Sequence, residues 1–222
     1  MMISVWQLAR ALRMGNAAII KPSNSKPLSV LALVKVLNTV LSADVLAVIP
    51  GGRNVGEHLA GHKGIAKFLF TGSTAAGKAI VGYSADTVKR LTLELGGNDA
   101  AIALPDADPE TIAKGLFWGA FINTEQTCAA LKRLYVHEEI YEEVCAALTA
   151  VGKSMPMRND LDENNVLGPL QNKAQFVDRL VKAPKDSGAR VLIGGDPEAT
   201  QPGFFYPATL IADIDNENPL VA

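Results

Sequence analysis

Short apolar runs alternate with segments of helical periodicity along nearly the whole chain, and brief glycine- or proline-bearing connections join them. This alternation constrains the fold more than any single motif. A strand followed by a covering helix and a short link returns parallel to itself through a right-handed crossover. The expected class is therefore α/β with parallel strands. In the first half, "ISVWQLARALRMG" sets Val5, Leu8 and Leu12 at helical spacing and closes on Gly15. "AAIIKPS" reads as a short buried strand, Pro27 to Leu41 as a helix, and "VLAVIPGG" as a strand running into glycine. Val55 to His62 reads as a helix, "IAKFLFTGS" as strand and turn, Thr74 to Tyr83 as a helix, and "VKRLTLELGG" as a strand.

Residues 1–96 thus predict most of a doubly wound, parallel-sheet dinucleotide-binding unit. The paired glycines Gly96 and Gly97 let the chain change direction and suggest a boundary. Residues 97–222 read as part of a second α/β domain, expected to be catalytic. "DAAIALPDAD" is a strand, Pro109 to Phe121 a helix with acidic residues near its start, and "RLYVH" a strand. Glu138 to Val151 and Asn172 to Gly188 are helices separated by the polar "MRNDLDENN", and "ARVLIGG" and "GFFYPATLIADI" are strands.

Charge and composition narrow the function classes. A net charge of -2 over 222 residues gives no electrostatic reason to expect a nucleic acid or an anionic membrane as partner. No apolar run reaches the length of a bilayer span. Two cysteines make no disulfide framework, so a reducing cytoplasm is the expected setting.

Two strand-to-helix turns carry glycine. Gly51, Gly52 and Gly56 imitate a dinucleotide fingerprint without its spacing. Gly72 and Ser73 stand where a helix begins, and free backbone N–H groups there favour a phosphate. Lys21 lies just past a strand end, within reach of a nucleotide or of solvent. His58 and His62 are four residues apart, but no third ligand accompanies them, so no metal site is expected.

The two cysteines differ in their surroundings. Cys145 falls on the apolar side of a helix, as a buried filler does. Cys128 follows Asn123, Thr124, Glu125, Gln126 and Thr127, a polar loop suited to a thiol that meets a substrate. Glu94 sits among apolar strand residues directly before the double glycine. A buried carboxylate is costly unless it is paired or protonated, and general-base work is one reason to keep one.

"LELGGN", followed further on by F-x-N-x-x-Q-x-C, resembles the two active-site signatures of the aldehyde dehydrogenase superfamily. "KPS", "PGG" and "FTGST" stand in that family's order, so the resemblance covers the whole chain. It implies that Cys128 attacks an aldehyde to form a thiohemiacetal, which passes hydride to NAD or NADP and becomes a thioester. Glu94 then activates the water that releases the acid. The resemblance assigns Lys21, Ser23 and Asn24 to the adenosine ribose, Gly72 and Ser73 to the pyrophosphate, and Gly96 to further cofactor contact. The implied partner is a small-molecule aldehyde, and the parent protein is expected to be a homo-oligomer, dimer or tetramer.

This sequence departs from the family at two residues, and the resemblance places further family features outside it. Many NAD-preferring members have a glutamate where Asn24 stands, so appreciable use of NADP is expected. Glu125 replaces a usual glycine; a left-handed conformation there would strain the loop. An oxyanion-hole asparagine is expected before residue 1. A nicotinamide-gripping glutamate–phenylalanine motif and an oligomerisation strand are expected after residue 222. The chain by itself is therefore expected to turn over poorly. The rival expectations are a CoA-acylating relative, which would not need a water-activating Glu94, and a truncated piece that keeps the fold without turnover.

Overall fold

The computed structural model describes residues 1–158, 163–171, 174–186, 188–196, 203–218 and 220–221. The chain divides into two units, Met1–Gly96 and Gly97–Ala222. Strands and helices alternate throughout the first unit and the first half of the second, which gives the α/β class.

In the first unit the order is α1 (Met2–Arg13), β1 (Ala18–Ile20), α2 (Leu28–Leu37), β2 (Leu46–Val48), α3 (Arg53–Gly61), β3 (Lys67–Thr71), α4 (Thr74–Ser84) and β4 (Arg90–Glu94). β1 pairs parallel with β2, and β3 with β4. Parallel pairing requires a crossover between partners, and α2 and α4 supply it. Leu8 of α1, Val30 and Val34 of α2, and Leu46 of β2 form a buried cluster against Ala18 and Ile20 of β1. The expected stripe on α1 is narrower than its periodicity suggests, since Val5 is 41% exposed while Leu8 is buried. α2 ends at Leu37, four residues before the end its apolar pattern predicts; Asn38 donates from Nδ2 to the Leu46 carbonyl (3.1 Å) and ties the turn to β2.

The second unit runs β5 (Asp99–Ala103), α5 (Pro109–Phe121), β6 (Leu131–Val136), α6 (Tyr141–Lys153), α7 (Ala174–Asp186), β7 (Arg190–Ile193) and β8 (Leu210–Ala212). Asp108 caps α5 by accepting from the Thr111 N–H at 2.7 Å, and Pro109 occupies the first turn, where its missing donor is not needed. Phe117 of α5, Val144 and Leu148 of α6, and Ala103 of β5 form the core. Fully burying a side chain such as Phe117 contributes about 1.5–3 kcal/mol.

β5 and β6 are parallel, but β7 and β8 pair antiparallel, a departure from the parallel alternation. The strand expected from "GFFYPATLIADI" is confined to Leu210–Ala212. Of the polar connection before α7, residues 159–162 lie outside the described residues, as do positions 172, 173 and 187 of the helix expected there. Among the described residues, no helix is long and apolar enough to cross a membrane.

Candidate active site

In the first unit, the parallel pair β1–β2 brings two strand ends together. The ammonium of Lys21, one residue past β1, donates to the carbonyls of Pro22 and Gly51, both at 2.9 Å. Lys21 is thus tethered across the two strand ends, its position set by the backbone. Beside it lies a groove of about 270 Å³ lined by Pro22, Ser23, Asn24, Pro27, Pro50, Gly51 and Gly52. Ser23 and Asn24 are exposed on its wall. Three of the expected cofactor residues therefore cluster at one end of this strand pair, where ligands of open α/β sheets bind.

Gly72 and Ser73 stand at the other parallel pair. Ser73 caps α4, its Oγ accepting from the Ala76 N–H at 3.3 Å. The Gly72 N–H donates to the Glu94 carbonyl at 3.0 Å, which extends the β3–β4 ladder by one bond. That donor serves the ladder, so an anion here would have to take its donors from the first turn of α4.

Glu94 corrects one expectation. It ends β4 opposite Thr71, yet its side chain is exposed rather than buried among the apolar strand residues. The apolar neighbours that suggested burial occupy the strand interior, and Glu94 lies at its last position. Gly96, two residues on, is exposed as well.

A larger cavity of about 430 Å³ lies along α3, lined by Glu57, His58, Gly61, His62 and Lys63. It contains none of the expected site residues. The two imidazoles tilt toward each other with centroids 5.4 Å apart. Among the described residues, no group of three His, Cys, Asp or Glu could hold a metal ion.

In the second unit, the loop between α5 and β6 presents Cys128, which is exposed, whereas Cys145 is buried in α6. Burial raises the Cys145 thiol pKa above its ordinary value, and the nearby Glu142 raises it further. The loop is built in an uncommon way. Asn123, Thr124 and Glu125 have φ of 53°, 52° and 61°, three consecutive non-glycine residues in the left-handed region. Each costs roughly 1–2 kcal/mol against an ordinary conformation, so neighbouring contacts must hold the loop.

Those contacts are numerous. Thr124 is buried, and its hydroxyl donates to the Gly168 carbonyl at 3.0 Å. Gln126 accepts from the Gln171 N–H at 2.7 Å and donates to the Pro169 carbonyl at 3.4 Å. Asn123 Nδ2 bonds the Gln126 carbonyl at 3.2 Å. Asparagine is among the few side chains that tolerate left-handed backbone, and here it bonds locally as well. Glu125 is 49% exposed, with its Oε1 3.6 Å from the Lys132 ammonium. Its carboxyl is nonetheless pushed above the ordinary glutamate range, because desolvation outweighs the opposing pull of Lys132.

Gly97 and Lys132 were not among the residues expected to shape this site. Gly97 is half of the motif's glycine pair, of which the resemblance assigns only Gly96 to the cofactor. Lys132 had a weak signal, one of two adjacent charges in a strand that is otherwise apolar.

The aldehyde dehydrogenase family model matches residues 1–222. Phenylacetaldehyde dehydrogenase of Pseudomonas fluorescens is 35% identical over 98% of this chain and 44% of its own length. The structure of 3,6-anhydro-L-galactose dehydrogenase in complex with NAP superposes with a TM-score of 0.89 at 30% identity, covering 95% of this chain and 46% of that one. A point mutant of betaine aldehyde dehydrogenase from Staphylococcus aureus, in complex with NAD+ and carrying a BME-modified cysteine, gives 0.93 at 27%, covering 98% and 45%. The chain spans less than half the length of these proteins.

Proposed function

The chain belongs to the aldehyde dehydrogenase family, and from that premise we propose that its protein oxidises an aldehyde to a carboxylic acid with NAD+ or NADP+. One observation carries the assignment of the nucleophile: of two cysteines, Cys128 is exposed on a braced loop and Cys145 is buried in a helix.

The Cys128 thiolate adds to the aldehyde carbon, forming a C–S bond and placing negative charge on oxygen. That oxygen reforms its carbonyl as hydride leaves the carbon, and a thioester remains on the sulfur. A bound dinucleotide supplies the hydride acceptor. Glu94 takes a proton from water as the water attacks the thioester; the C–S bond breaks, the acid departs and Cys128 is regenerated. The residue types suit these roles, since a thiolate is both a soft nucleophile and a fair leaving group.

Lys21, Ser23 and Asn24 hold the adenosine end of the dinucleotide in the groove at β1 and β2. Gly72 and Ser73 bring its pyrophosphate to the start of α4, and Gly96 gives backbone contact. The groove supports this fit, as does the occurrence of dinucleotide complexes among the relatives. Asn24 adds no like charge against a 2′-phosphate, so NADP+ is accepted alongside NAD+.

The test incubates the protein with a panel of aldehydes and each dinucleotide, following reduced cofactor and identifying the product. Acid formation with one-to-one reduction, abolished in Cys128→Ser, is the expected result. Acyl-CoA appearing only when CoA is added would replace the hydrolytic reading. Undiminished turnover in Cys128→Ser would remove the cysteine from the mechanism.

A further inference from the structure

Lys132 is the only residue of β6 without a partner on β5. Asp99 faces Leu131 and Ala100 faces Arg133, so Lys132 is the extra residue of a β-bulge. The burial pattern shows the same interruption: Lys132 is exposed, Arg133 and Leu134 are both half-buried, and Tyr135 is exposed again. A bulge re-aims the side chain it carries. This one brings the Lys132 ammonium to the Glu125 carbonyl at 3.3 Å, the Thr127 carbonyl at 3.4 Å and the Glu125 carboxylate at 3.6 Å. An ammonium has three donors and no acceptor, and three loop oxygens face this one.

The contacts fall on the segment that most requires them. Glu125 is the last of the three left-handed residues, and Thr127 immediately precedes Cys128. Two of the three oxygens are main-chain, so the ammonium fixes backbone direction whatever the Glu125 side chain does. β6 provides a hydrogen-bonded base for the lysine, while the loop is held by contacts to side chains and to residues 168–171.

We infer that Lys132 is a positioning residue: from the bulge in β6 its ammonium clamps residues 125–127 and fixes the backbone that presents Cys128. The inference rests on Cys128 being the nucleophile, as proposed above, and it gives Lys132 a role that acts through the loop.

The test compares wild type with Lys132→Met, which keeps the stem and removes the charge, and Lys132→Arg, which restores it. Amide exchange by NMR is read at Thr124, Gln126 and Ala130, whose N–H groups bond within the loop to Phe121, Asn123 and Thr127. Lys132→Met should speed exchange at these amides about tenfold or more, leave α5 unchanged, and lower kcat with little change in aldehyde KM. Lys132→Arg should return both quantities toward wild type. Unchanged loop exchange in a folded Lys132→Met, or failure of arginine to rescue, overturns the clamp. Should Lys132→Met not fold, Lys132→Gln carries the same expectations. The exchange arm is independent of the reaction: a wild type that oxidises no aldehyde but responds in exchange keeps the clamp and loses the mechanism.

Discussion

A Cβ placed on Gly97 would stand 2.8 Å from the carbonyl oxygen of Cys128 and 2.6 Å from Asp99 Oδ1. The second glycine of the "LGGN" motif is therefore required by the cysteine loop itself. A carboxylate oxygen can swing away at little cost, but the Cys128 carbonyl is backbone and can move only with its loop.

Gly97→Ala should accordingly destabilise the protein by about 1–3 kcal/mol, the usual range for overpacking a close contact. Urea unfolding of the two proteins measures it. A loss below about 0.3 kcal/mol would mean that the loop yields freely and that its bracing is weak.

Alkylation should distinguish the two thiols. Limited iodoacetamide treatment followed by peptide mapping is expected to label Cys128 first, since Cys145 is buried and its thiol is held in the protonated form by burial. Equal labelling, or preference for Cys145, would argue against the assigned nucleophile.

Glu94→Gln should slow thioester hydrolysis more than hydride transfer. Stopped-flow absorbance would then show a burst of reduced cofactor before slow turnover. An unchanged steady-state rate would take Glu94 out of the mechanism.

Asn24 should set the choice of dinucleotide. A carboxylate at this exposed position beside Lys21 would repel a 2′-phosphate, and the amide does not. Asn24→Glu is expected to shift the NADP+/NAD+ ratio of kcat/KM toward NAD+ by about tenfold, the equivalent of roughly 1.4 kcal/mol. A ratio unmoved by the substitution would assign selectivity elsewhere.

Glu125 should make stability fall as pH rises. Its carboxyl pKa is raised in the folded protein, so the native state binds the proton more tightly than the unfolded chain. The penalty is absent below the unfolded glutamate pKa and grows as pH climbs through the raised folded value. Glu125→Gln should therefore be more stable than wild type at neutral pH, with no advantage in acid. Glu125→Gly should add about 1 kcal/mol by relieving the left-handed backbone. Thermal melts from acid to neutral pH check both, and an advantage of Glu125→Gln that persists undiminished in acid would refute the linkage.

Much of this was legible in the residue order, because periodicity is a local property. Helix Pro109–Phe121 has the boundaries that its acidic start and apolar spacing predict. The contrast between Cys128 in a polar loop and Cys145 on an apolar helix face needed only neighbouring residues. The conditional expectation at Glu125 was likewise local: a residue standing where glycine is usual has φ of 61°.

Partner strands and contacts distant in sequence decided the rest. Glu94 looked buried because its sequence neighbours are apolar, but exposure at a strand end depends on what the fold packs there, and nothing covers that side chain within its own unit. The pattern of "RVLI" and "LIA" announces strands without direction, so only pairing made them antiparallel. Lys21 could have pointed to solvent until two parallel strand ends set the carbonyls of Pro22 and Gly51 around it. Lys132 is the clearest case. A one-residue slip in pairing with β5 takes a lysine that strict alternation would place on the face of Leu134 and Val136 and turns it onto the Cys128 loop, and sequence alone does not encode such a slip.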